Sequence, residues 1–161
     1  MKNKVLHIVR HGKALQDAYD IQDNDRPLTV KGILNNITVA KKLIEQYPVP
    51  DLIISSYAAR ALHTAHIFAR EMGYPHEKVQ VNENLYFRGD NEIYSILENL
   101  PDDVNNAMIV GHNPDLTYVV NSFAVRIFNL STSGAVTITF ETDKWSNIFN
   151  SKSTHTYITR E

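Results

Sequence analysis

The sequence predicts an α/β domain with a largely parallel sheet. Two observations lead there. Apolar runs of strand length alternate with segments of helical period, which is the pattern that βαβ units leave in a sequence. The last third changes character, with Val136, Ile138 and Phe140 alternating with Thr, as in an antiparallel pair at a sheet edge. The 161 residues are enough for one core and too few for two full domains, so residues 1–161 are read as one domain.

The elements follow in order. The first strand is read over Lys4 to Arg10. Thr29 is placed to cap a helix whose Ile33, Ile37, Ala40, Ile44 and Tyr47 make one apolar stripe, stopped by Pro48 and Pro50. Asp51 to Ser55 reads as a short buried strand, and Ser56 as the cap of a helix that turns Ala61, Ala65, Phe68 and Met72 inward before Gly73 ends it. Val79 to Val81 is a weaker strand. Ile93, Ile96, Leu97 and Leu100 mark a third helix closed by Pro101, and Ala107 to Val110 is a fourth, buried strand. Asn113 and Pro114 open another helix, Asn as cap and Pro at its first position, with Leu116, Val119, Val120, Phe123 and Ile127 on one face. Gly134 to Glu141 and Thr154 to Thr159 are read as two strands joined by a hairpin around Asp143 to Ser151.

Composition excludes several classes of function. Sixteen Lys and Arg stand against eighteen Asp and Glu, a formal charge of −2, so there is no general basic field to hold nucleic acid. Cysteine is absent, which removes disulfides, thiolate catalysis and Cys-ligated metals. The apolar stretch at Val5 to Val9 contains His7 and is closed by Arg10, too short for a signal segment or a membrane span. The expected setting is therefore the cytoplasm, with neither membrane nor nucleic acid as partner.

In an open α/β sheet the ligand site lies beyond the carboxyl ends of the strands. Arg10-His11-Gly12 follows the first strand, Arg60 falls in the first turn of the helix after the second, and Gly111-His112 follows the fourth. Two arginines and two histidines distant in sequence thus converge on one sheet edge. Forked guanidinium donors offset a phosphoryl dianion without a metal, and helix N-termini near Ser56 and Asn113 add free N–H groups. Other residues have plainer readings. His63 and His66 share a helix face but lack a supporting carboxylate for zinc, and no metal or cofactor is expected. His7 is read as packed or hydrogen-bonded within the sheet. Arg26 either reaches the rim of the phosphate pocket or pairs with Asp23 or Asp25. Tyr86-Phe87 is either core packing or a wall facing the substrate. Gly12-Lys13 lacks the glycine-rich stretch of a P-loop.

Taken together, Arg10-His11-Gly12, the segment from Ser56 through Arg60 to Ala65, and Gly111-His112-Asn113-Pro114 resemble the histidine phosphatase superfamily. Asp25-Arg26-Pro27-Leu28-Thr29 followed by Gly32 resembles its bacterial phosphohistidine phosphatases of the SixA type, and the likeness runs from Val5 to about Val136. Tyr57 departs from the proline often found there, a change in helix entry but not in charge. The resemblance implies a three-layer, phosphoglycerate mutase-like fold, its mixed, mainly parallel sheet covered by helices on both faces. It also implies His11 as nucleophile, with Arg10, Arg60 and His112 holding the phosphoryl oxygens. The residues alone leave His11 and His112 open as attacker; the family decides for His11.

Gly12, Arg26 and Glu83 are the further substrate-binding candidates. Glu83 lies near where related enzymes place a general acid, although a solvated loop carboxylate is the plainer alternative. The expected substrate is a histidine-phosphorylated protein, because a protonated imidazole leaves without a strong acid. The alternatives are a small phosphate monoester or, for a protein without turnover, phosphate-dependent binding.

Overall fold

The computed structural model describes residues 3–16, 20–123 and 126–161. Six strands form one sheet: β1 (Lys4–Arg10), β2 (Leu52–Ser55), β3 (Gln80–Val81), β4 (Asn106–Gly111), β5 (Ala135–Phe140) and β6 (Ser153–Ile158). Their order across the sheet is β3-β2-β4-β1-β5-β6. The first four are parallel, and β5 and β6 run antiparallel at the far edge. The central pair β1 and β4 is in register from Val5 opposite Asn106 to Arg10 opposite Gly111, so these two strands end together.

The helices are α1 (Val30–Gln46), α2 (Ala59–Met72), α3 (Asp90–Glu98) and α4 (Asp115–Ser122). Side-chain alternation along the strands feeds two cores. Leu6 and Ile8 of β1 with Ala107 and Ile109 of β4 pack with Ile93 and Leu97 of α3 and Leu116, Val119 and Val120 of α4. Val9, Met108 and Val110 point the other way, onto Val39, Ala40 and Leu43 of α1 and Ala61, Ala65 and Phe68 of α2. Both faces are therefore covered, and the three-layer, mainly parallel arrangement expected from the sequence is the one observed.

Several local readings need correction. The buried stripe of α1 is Gly32, Asn36, Val39, Ala40 and Leu43, whereas Ile33, Ile37 and Ile44 are only half-buried. The helix is rotated because Gly32 lies against the Lys13 backbone and Asn36 enters a buried polar network. Ser56 precedes the capping position of α2, which is Ala58, but its Oγ still accepts from the Ala58 N–H at 3.2 Å. At α4 the cap is Pro114, not Asn113, and Pro114 is not the first helical residue. Asn113 Oδ1 nonetheless accepts from the N–H and Oγ1–H of Thr117.

Ile127 lies beyond α4. The Asn121 side chain accepts from the Ile127 N–H and donates to its carbonyl, tying the chain back after the helix has ended. The β5–β6 connection is longer than a tight turn: it holds a 3₁₀ helix at Trp145–Asn150 whose fully buried Trp145 donates Nε1–H to the Val104 carbonyl at 2.7 Å. Thr29 does cap α1, accepting from Gly32 N–H at 3.0 Å, and Gly73 ends α2 with φ of 84°. His7 is buried in the sheet, with Nδ1 2.7 Å from Thr137 Oγ1.

Candidate active site

The site grows out of the joint ends of β1 and β4. His11 N–H donates to the Gly111 carbonyl at 3.1 Å, and Ser133 N–H, from the turn just before β5, is shared between the Arg10 and His11 carbonyls at 3.1 Å each. Three chain segments thus fix the backbone around His11. A buried polar network holds it from below. Gly12 N–H donates to Thr64 Oγ1 at 3.0 Å, and the same oxygen accepts from Asn36 Nδ2 at 3.0 Å while donating to the Arg60 carbonyl at 2.7 Å. Ser133 Oγ–H completes the chain on Asn36 Oδ1 at 2.7 Å. No larger residue fits at position 12, where a Cβ would stand 2.9 Å from the Asn36 amide.

His11 is 9% exposed, and its Nδ1 lies 2.7 Å from the Gly12 carbonyl. A carbonyl only accepts, so Nδ1 carries the hydrogen and Nε2 keeps its lone pair. Burial, opposed by the Gly12 carbonyl and assisted by Arg60, Arg10 and Arg26, lowers the His11 pKa to about 4. The ring is neutral at pH 7.

His112 lies 5.1 Å from His11, ring centre to ring centre, and is almost fully buried. Its Nε2 is 2.8 Å from Ser56 Oγ, and its Nδ1 has no protein partner. Ser56 Oγ accepts from Ala58 N–H and, among the described residues, meets no other acceptor for its own hydrogen, so donating that hydrogen to His112 Nε2 satisfies it and leaves Nδ1 as an N–H donor. Burial, with added push from His11 and Arg60, drives the His112 pKa down to about 2.

His11 borders an open cleft of about 480 Å³ that Arg10, Lys13, Arg26, Arg60 and Phe87 also line, while His112 packs behind it, against the His11 and Phe87 rings. Among the described lining residues, four cations, Arg10, Lys13, Arg26 and Arg60, face one carboxylate, Asp23. Arg10 is anchored by NH1 on the Leu130 carbonyl at 2.9 Å. Arg60 is 1% exposed and gives NH1 to the Asp23 carbonyl at 2.7 Å and NH2 to Asp23 Oδ2 at 3.0 Å. The Nε atoms of both arginines are buried without a protein partner.

Arg26 donates from Nε and NH2 to Asp23 Oδ1 at 3.1 and 3.0 Å, and it also lines the cleft, so the two alternatives left open for it hold together. Tyr86 Oη–H donates to Asp23 Oδ2. Burial alone would raise the Asp23 pKa, but the hydrogen bonds from Tyr86, Arg26 and Arg60 outweigh it and hold the carboxyl well below its usual range.

Arg10, His11, Gly12, Arg60 and His112 are therefore brought together as the strand-end argument expects. Glu83 is not: it is exposed on the 3₁₀ turn Glu83–Leu85 and does not line the cleft. In the sequence Ser56 marks only a helix start and Asp23 only an alternative partner for Arg26; the bond of Ser56 to His112, that of Asp23 to Arg60 and the Thr64–Asn36–Ser133 network are not anticipated. Asp23 sits beside Arg26 in an apparently ordinary polar loop, and only the closure of that loop over Arg60 reveals it. Among the described residues, no group of three or more His, Cys, Asp or Glu is placed to hold a metal ion, and no helix is long and apolar enough to cross a membrane.

Comparison with known proteins agrees with this geometry. The chain is 37% identical over 116 residues to a protein of Picosynechococcus sp. whose function is uncharacterised, a match spanning 69% of this chain and 67% of that one. Its fold superposes on SixA from Agrobacterium tumefaciens with a TM-score of 0.81 at 22% identity, covering 96% of this chain and 97% of the other. A structure of the protein histidine phosphatase SixA complexed with tungstate gives a TM-score of 0.81 at 23% identity, with 97% of each chain covered. The profile of the histidine phosphatase superfamily (branch 1) matches residues 6–86, the stretch that supplies Arg10, His11 and Arg60, and the chain belongs to that superfamily.

Proposed function

We propose that the protein is a metal-independent phosphatase, acting in the cytoplasm on phosphohistidine carried by another protein, with His11 as the nucleophile. The observation that carries this reading is the Nδ1 contact of His11 with the Gly12 carbonyl, which leaves a neutral imidazole with its Nε2 lone pair in a cleft of four cations. In the first step Nε2 attacks phosphorus in line. The bond from phosphorus to the leaving nitrogen breaks, and that nitrogen keeps the electron pair. Because the substrate ring is already protonated on its other nitrogen, it departs as neutral imidazole.

Arg10 and Arg60 neutralise the equatorial oxygens of a loose transition state, and His112 Nδ1–H adds a donor without adding charge. Water then attacks phosphorus, the bond to His11 Nε2 breaks, and phosphate leaves with His11 neutral again. The tungstate in the structurally similar SixA is an oxyanion of the kind such a pocket would hold.

The carboxylate at the cleft supports phosphohistidine over an alkyl phosphate. An alkoxide needs a proton as it leaves. Asp23 is held ionised, and Glu83 stands outside the cleft. A turnover panel of phosphohistidine protein, phosphoramidate and alkyl phosphates, each with and without chelator, tests the reading. The first two should be hydrolysed preferentially and at rates the chelator does not change. His11→Ala should lose on the order of 10³-fold or more in turnover while folding normally, and an acid-labile phosphate should be trapped on His11. Equal turnover of alkyl phosphates, lost selectively in Glu83→Gln, would instead favour a general phosphomonoesterase.

A further inference from the structure

Phe87 occupies an unusual place for a phenylalanine. It lines the charged cleft, and its side chain is far from buried, with 48% of the residue exposed. Its backbone has φ of 56°, in the left-handed region that L-residues with bulky side chains disfavour. Burial does not compensate for that conformation. The Glu83–Leu85 turn precedes the residue, and Gly89, with φ of 88°, follows it.

The ring itself is fixed from behind. Its centre lies 4.8 Å from the Tyr86 ring and 4.7 Å from the His112 ring, inclined to the latter by 36°. Tyr86 is in turn pinned by its hydroxyl on Asp23 and by Tyr57, 4.9 Å away. A strained backbone and two supporting rings thus present an aromatic surface to a cleft otherwise built for an anion.

We propose that Phe87 recognises the leaving group, and that the group it recognises is a planar imidazolium ring. This rests on the phosphohistidine reading above. In-line attack from His11 sends the leaving atom away from His11, toward the open side of the cleft. His112 stands beside His11 and in contact with Phe87, which places the Phe87 ring one side chain beyond the phosphoryl seat. Among the described lining residues, Phe87 is the one aromatic ring other than His11 itself. The ring of a phosphorylated histidine is flat, and it carries a positive charge when protonated on its free nitrogen. An aromatic face attracts such a ring by stacking and by its quadrupole, whereas an alkyl or amino leaving group gains little from it.

The test compares kcat/KM for a 3-phosphohistidine peptide and for phosphoramidate, which transfers the same phosphoryl group from nitrogen but has no ring. In Phe87→Leu the ratio of the two should fall about tenfold, mainly through KM of the peptide. Phe87→Tyr should restore the ratio. A loss shared equally by both substrates would mean that Phe87 merely supports His112, and would overturn the inference. Failure of the unaltered protein to hydrolyse either compound would instead overturn the phosphohistidine reading on which it rests.

Discussion

Asp23 shows how a single side chain can both build and oppose an anion site. Its carboxylate ties Arg26, Arg60 and Tyr86 together, yet it occupies donors that a phosphoryl group would use. The two effects separate in Asp23→Asn. Arg60 NH1 is held by the backbone carbonyl of residue 23 at 2.7 Å, so its aim survives the substitution, while one negative charge leaves the cleft. Inorganic phosphate should then inhibit the variant about fivefold more strongly, the effect of roughly 1 kcal/mol for a partly screened charge at close range. Weaker inhibition in an assay of Ki would show that aiming the guanidinium outweighs the repulsion. The residue-scale logic also explains what sequence could reach. Arg10, His11 and His112 are adjacent to strand ends and Arg60 lies in a helix first turn, so their convergence follows from connectivity alone. Asp23 and Phe87 depend on how two loops close, which no periodicity records.

At the scale of elements, α1 carries the same lesson. The apolar stripe through Ile33, Ile37 and Ile44 is a fair reading if only hydrophobic groups are buried, but the helix turns Gly32 and Asn36 inward. Asn36 is used to join Thr64 to Ser133, and Gly32 lets the helix approach the segment that follows His11. The elements and their order were legible because strand and helix periods differ and because Thr29, Pro48 and Gly73 mark ends. The rotation of α1 was not, since it is set by polar groups whose partners lie 28 and 97 residues away. Gly32→Ala distinguishes local preference from tertiary contact. Helix propensity favours alanine by about 1 kcal/mol, but the added Cβ would stand 2.2 Å from the Lys13 carbonyl oxygen. The clash is with backbone and cannot be relieved by a rotamer change. The variant should lose about 2 kcal/mol or more of stability in denaturant unfolding and lose turnover as well, because Lys13 is two residues from His11. A stabilised, fully active variant would refute the close approach.

For the whole molecule, charge and burial act together. The chain is acidic by two charges, but its cleft gathers Arg10, Lys13, Arg26 and Arg60 beside His11, and His11 and the adjoining His112 are both kept neutral. A third neutral histidine, His7, lies in the sheet away from the cleft, where burial, outweighing the opposing pull of Asn106, lowers its pKa to about 4. With His11 at about 4 and His112 at about 2, the folded protein resists three protonations that the unfolded chain accepts near pH 6.5. Between those values the unfolded state binds more protons, so stability rises with pH across that window and is lost as pH falls below 6.5. Each histidine contributes a slope of up to about 1.4 kcal/mol per pH unit, enough together to remove several kcal/mol by pH 5. Denaturant unfolding should therefore give nearly constant stability from pH 7 to 8 and a steep decline below 6.5. His7→Gln, which keeps polar capacity in the sheet but takes up no proton, should make the decline shallower without touching the cleft. A stability that stays flat down to pH 5 would mean that the three rings take up protons in the folded state as readily as in the unfolded chain, so that His11 would lose its free lone pair as soon as the pH falls below about 6.5.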